Sequence, residues 1–143
     1  MANVKVALAG YAAEKLKCGS TSDGVASDFR HAMDLVHRMV WSLGMGANGF
    51  VGDYQSLTGS WQFRGAGSGD VLSDRVKEKL NDEMHALLTQ CLKEVEDLLR
   101  KEDALLERFT EELLKKDELD YDEIEPIFVE FGKQRLIPVP PSA

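Results

Sequence analysis

The sequence predicts an all-α protein, an antiparallel helical bundle with one long glycine-rich loop between its second and third helices. Three observations carry this reading. Apolar residues recur at three- and four-residue steps through most of the chain, the mark of helices with one buried face. Residue types that start and stop helices bracket the periodic stretches. Eight of the twelve glycines fall between Gly44 and Gly69, where the period is lost.

The first helix is expected over residues 2–17, with Val4, Ala7, Leu8, Tyr11, Ala12 and Leu16 as its apolar stripe and Gly19 just past its end. The small residues Ala7, Ala9, Gly10, Ala12 and Ala13 allow another backbone to approach closely. Glu14 reads as an exposed helix carboxylate, with an interior polar contact as the alternative. Ser20 to Gly24 have the residue types of a turn, and so short a connection makes the flanking helices neighbours.

The second helix organises the rest. It is expected to begin near Ser27, whose hydroxyl would accept from the first-turn amides, and to stop at Gly44 in a left-handed cap. Phe29, Ala32, Met33, Val36, Val40 and Leu43 form its expected buried face. Asp28 stands in the first turn, where the helix dipole favours negative charge. His31 follows at i+3, so the two can share a face.

Residues 44–69 cannot hold a long helix, because each interior glycine costs about 1 kcal/mol against alanine. A long loop is expected, with a short strand or hairpin around Gln55 to Phe63. Phe50, Tyr54, Trp61 and Phe63 either pin this loop to the core or bind a peptide or partner. Gly65-Ala-Gly-Ser-Gly69 is only superficially like a phosphate-cradling loop, since no Lys-Ser/Thr comes after it.

The helical period returns after Ser73, a fitting N-cap, with Val76, Leu80, Met84, Leu87, Leu88, Cys91, Val95 and Leu98 on one stripe. A break at Lys101 to Asp103 precedes a further helix carrying Ala104, Leu105, Leu106, Phe109, Leu113 and Leu114. Asp120, with Glu123 three residues later, is a capping-box pattern opening a last helix with Ile124, Ile127 and Phe128, and Pro126 fits its first turns or kinks it. One helical domain over residues 1–135 is expected, and then an extended proline-rich tail at 136–143.

The net charge of −8 is unevenly spread: residues 1–69 hold six Lys and Arg against five Asp and Glu, and residues 70–143 hold eleven against twenty. So acidic a half speaks against nucleic acid as a partner, which calls for a basic patch. The sequence has no apolar run of the roughly 18 residues a membrane helix needs. Cys18 and Cys91 lack the spacing of a metal pair or disulfide framework and read as reduced thiols. His85 has only carboxylates such as Asp82 as helical neighbours. His31, Asp34 and His37 fit a shared metal poorly, because six residues separate the two histidines and place them on different sides of a helix.

The run Ala7-Leu-Ala-Gly-Tyr-Ala-Ala-Glu-Lys-Leu16, then Gly24-Val-Ala-Ser-Asp-Phe29 with Ala32, Leu35, Arg38, Met39, Val40, Gly44 and Met45, resembles the peptidase domain of the FtsH family. These are membrane-anchored, ATP-dependent AAA+ zinc metalloproteases with a "GGRAAEE" helix and a "TGASNDL" segment whose aspartate is a zinc ligand. The similarity is close over residues 2–46. Past residue 70 it persists as a similar order of helices, with Leu119 to Ile124 matching the family's "TLDGEEI". Tyr11 departs from the family's Arg, and Ser27 from its Asn.

The resemblance implies zinc as cofactor, Asp28 as a metal ligand and His31 as a group that orients it. It also implies polypeptide substrates, self-association into a ring, and a place on the cytoplasmic, matrix or stromal side of a membrane. The family's two histidine ligands and its general-base glutamate belong to an HExxH helix. None of His31, His37 and His85 has Glu as its next residue. The chain therefore carries one of three expected protein ligands and is expected neither to hold zinc nor to cleave peptides by itself. It reads as the C-terminal part of such a domain, or else as a standalone relative acting as a non-catalytic helical interaction module.

Overall fold

The structure, a computed structural model, describes residues 1–47, 49–59 and 72–133. All regular structure among these is helical: α1 (Ala2–Cys18), α2 (Val25–His37), a π-helical turn (Arg38–Ser42), α3 (Gln55–Gly59), α4 (Asp74–Lys101), α5 (Asp103–Lys116) and α6 (Tyr121–Glu130). The chain divides into two compact units, Met1–Asp97 and Leu98–Ala143, with the boundary inside α4.

In the first unit α1 ends where expected, at Gly19 with φ 70°, its amide donating to the Lys15 carbonyl. Val4, Ala7, Leu8 and Ala12 are buried, while Leu16 lies at the exposed edge of the stripe. Val4, Ala7 and Leu8 pack into one core with Ala32, Val36, Val40 and Trp41 and with Leu72, Leu80, Met84 and Cys91.

The start of α2 differs from expectation. The helix begins at Val25, and the Ser27 hydroxyl donates to the Gly24 carbonyl instead of accepting from the first turn. Two members of its expected buried face are exposed, Met33 at 53% and Leu43 at 63%. The buried arc centres on Ala32 and Val36, which leaves Met33 at its outer edge.

Leu43 has a different cause. The Leu43 amide donates to the Arg38 carbonyl and the Met45 amide to the Met39 carbonyl, so the helix closes in a turn one residue wider than α. The added residue rotates the end of the helix, carrying Trp41 into the core and Leu43 out of it. Gly44 then takes φ 61°, the left-handed cap expected of it.

The segment after Gly44 folds back on the helix it leaves. The Tyr54 amide donates to the Trp41 carbonyl (2.7 Å), Phe50 and Tyr54 meet edge to face at 5.7 Å, and both pack against the core. The strand or hairpin expected from Gln55 is not formed by residues 55–59, which are the short helix α3. Asp53 starts it by accepting from the Ser56 amide, an interaction of nearest neighbours that hydrophobic alternation does not reveal. Trp61, Phe63, Gly65 to Gly69 and the tail at 136–143 lie outside the described residues.

Helix α4 opens as expected, with the Ser73 hydroxyl accepting from the Val76 amide (3.4 Å). Leu80, Met84, Cys91 and Val95 of its stripe are buried. In the second unit α5 places Leu105 in the interior and α6 places Ile127 there, with Phe109 and Phe128 in edge contact at 5.3 Å. The capping box is present in full: the Asp120 carboxylate accepts from the Asp122 and Glu123 amides, and the Glu123 carboxylate accepts from the Asp120 amide. Pro126 sits inside α6 without ending it.

Candidate functional site

Asp28 and the helix it faces define the site. Asp28 is the fourth residue of α2, half-buried, in the turn whose free amides favour a carboxylate. Opposite it runs α1, which presents Gly10: a Cβ built there would lie 3.1 Å from Asp28 Oδ2. The next residues along, Tyr11 and Phe29, hold the two helices together, ring centroids 4.7 Å apart at 53°. Lys15 reaches back over the Tyr11 ring at 5.6 Å.

One turn further along α1, Glu14 ties down the approach to α2. Its carboxylate accepts from the Ser22 amide (2.8 Å) and the Ser22 hydroxyl (2.9 Å). The side chain is thus a clasp across the connecting turn, which takes the place of the capping interaction that Ser27 does not make. No such contact joins Asp28 to His31 among the described residues. His31 is exposed and lines, with Asp34, Leu35, His37 and Arg38, an open surface depression of about 410 Å³.

Two features escape a reading of the sequence. His37 lies flat on Trp41, centroids 5.1 Å apart and 10° from parallel, and the Trp41 Nε1–H donates to Met84 Sδ at 3.2 Å. The two rings are four residues apart, a spacing that a helix brings together, but apolar periodicity does not announce the stack. Glu83 is only 4% exposed, the one charged side chain buried among the described residues, and its carboxylate fills the space a Cβ would take at Gly46. A glutamate immediately before a core methionine, opposite a glycine-rich stretch, is the available signal.

The cysteines differ in environment. Cys18 is exposed and Cys91 buried, and burial pushes the Cys91 thiol above its ordinary value, which keeps it protonated and unreactive.

Among the described residues no three His, Cys, Asp or Glu side chains converge as a metal-binding group. Asp28 is a donor of the right chemistry, but these residues do not by themselves make a zinc centre.

The helical fold is shared with a known peptidase family: the chain belongs to peptidase family M41, whose model matches residues 1–127. The relatives it resembles are named ATP-dependent zinc metalloprotease FtsH. That of Borreliella burgdorferi is 30% identical over 125 residues, 85% of this chain and 19% of that protein. That of Mycoplasmopsis synoviae is 31% identical over 123 residues, 84% and 18%. That of Thermus thermophilus is 27% identical over 128 residues, 87% and 20%. The chain spans about a fifth of the length of these curated relatives. No helix among the described residues is long and apolar enough to cross a membrane.

Proposed function

We propose that the chain supplies the C-terminal helical part of the peptidase domain of an ATP-dependent zinc metalloendopeptidase that degrades unfolded or membrane proteins. Asp28 is one carboxylate ligand of its zinc, and His31, one turn along α2, orients that ligand. The two histidine ligands and the general-base glutamate, which the sequence does not contain, come from another polypeptide segment, and self-association in a ring accords with the same family logic. The chain taken by itself neither holds zinc tightly nor cleaves peptide bonds.

The observation that carries this reading is the position of Asp28. It lies in the family-matched range, at the first turn of a helix, and has the backbone of a second helix as its neighbour. Bound zinc would supply a polarised water as the nucleophile. This chain's own share is a carboxylate on a short side chain, held in place by two packed helices.

A second reading, a helical interaction module without catalysis, is favoured by the lack of any His-Glu pair in the sequence. Calorimetric zinc titration decides between the two when this chain is combined with a segment carrying HExxH. Binding near one equivalent that is lost in Asp28→Ala is expected. Binding that is equally tight in Asp28→Ala sinks the ligand assignment, and no binding at all favours the interaction module.

A further inference from the structure

We infer that Gly10 is a positioning residue for the Asp28 carboxylate. Gly10 stands mid-way along α1, where glycine weakens a helix relative to alanine. The usual reasons for a glycine in such a place do not apply. Its φ is not among the positive values of this chain, so no left-handed turn requires it. It is exposed, so no core packing requires it. Among the described residues the only atom outside its own helix within 4 Å of a Cβ at this position is Asp28 Oδ2. The group given room by the missing methyl is therefore the carboxylate.

The surroundings fix which partner must yield when that room is filled. Tyr11 and Phe29, the residues next to this pair on each helix, are in ring contact, and Glu14 clasps Ser22 ahead of α2. On the other side of Gly10, Ala7 and Leu8 share one core with Ala32 and Val36, so the helices are pinned on either side of the contact, and a methyl at residue 10 displaces the Asp28 side chain before it displaces the backbone. A separation of 3.1 Å is tighter than ordinary carbon–oxygen contact, so the carboxylate must turn by a few tenths of an ångström. For a group whose value lies in where its oxygens point, that is a functional change. What the carboxylate is offered to rests on the zinc reading; that Gly10 places it does not.

The test is a metal-free cycle on the full chain, with Gly10→Ala made in the native and Asp28→Ala backgrounds. Equilibrium unfolding should show the alanine raising the folded-to-unfolded ratio about two- to fivefold in the Asp28→Ala background, the ordinary helix gain. In the native background the gain should be smaller or reversed. Carbon-detected NMR should show the Asp28 carboxyl resonance moving in Gly10→Ala and unmoved in Ala13→Gly, a control on the same helix that a general change in α1 stability would also affect. An unmoved Asp28 carboxyl in Gly10→Ala overturns the inference, as does an equal gain in both backgrounds. Because no metal is present, failure here leaves the zinc reading standing, and failure of zinc binding leaves this one standing.

Discussion

The α1–α2 pair and the α5–α6 hairpin are both short helical pairs with a ring contact at their centre, yet their surroundings differ in charge. Between α1 and α2 the contact is close and nearly uncharged: a glycine, a tilted pair of rings, buried Val4, Leu8, Ala32 and Val36. Between α5 and α6 the Phe109–Phe128 contact is flanked by surface ion pairs. Arg108 pairs with Glu112 on its own helix and with Glu130 on α6, Lys116 with Glu123, and Lys133 with Glu102. Every one of these carboxylates has a cation; Asp28, at the α1–α2 contact, is given space instead. Carboxylates at the surface of the second unit are thus neutralised by cations, whereas the one at the α1–α2 contact has the room that a glycine leaves.

The largest effect should come from removing packing in the first unit. Leu80, fully buried in the core that supports α1 and α2, should cost roughly 2–5 kcal/mol when cut to alanine. Denaturant unfolding and loss of amide exchange protection across residues 1–97 measure it. A loss well under that range would mean that close packing is not what holds the first unit.

A smaller loss is expected from Asp120→Ala, which removes the Asp120 side-chain half of the capping box at α6, at about 1 kcal/mol. Its signature is earlier fraying of residues 121–125 in hydrogen exchange, with α1 and α2 unaffected.

The smallest effect is a pH dependence that separates the two pairs. The hydrogen bond from Arg108 holds the Glu112 carboxyl below its usual range, and the one from Lys116 does the same for Glu123. A carboxyl lowered in the folded state stabilises fully above its unfolded value of about 4.3, and that contribution is lost as pH falls through the lower folded value. The α5–α6 hairpin should therefore loosen in acid below about pH 4, and added salt should produce a weaker version of the same change at neutral pH. In the first unit Glu94, lowered by its hydrogen bond from Lys5, titrates in the same direction. The NMR-monitored acid transition of residues 103–130 checks the ordering; a hairpin indifferent to both acid and salt would break the contrast.

Much of this architecture is legible in the sequence because it rests on local rules. Gly19 and Gly44 mark their helix ends, Ser73 and Asp120 their helix starts, and the stripes of α1 and α4 name most of the buried residues. The illegible part depends on contacts distant in sequence. The periodicity of α2 assigns Leu43 to the core on the premise of an α-helix throughout, and the wide turn gives the place to Trp41. Residues 55–59 look extended because glycines and aromatics surround them, while an Asp53 cap is enough to start a helix. At the site, Asp28 can be singled out from its motif, but Gly10 cannot be tied to it until the two helices are seen side by side.

A turn with one residue too many also limits how this sequence can vary. The stretch Arg38–Ser42 is a place where a residue could be lost with the helix left continuous, since an ordinary α turn would remain. Yet each residue of an α-helix accounts for about 100° of rotation, so that deletion would swing the indole of Trp41 away from the Met84 sulfur and turn the Tyr54 attachment elsewhere. The number of residues separating Asp28 from Trp41 is thus set from outside the helix, by a partner on α4 that the indole has to reach. An insertion or deletion anywhere in that interval would be felt first in the direction in which the glycine-rich segment departs.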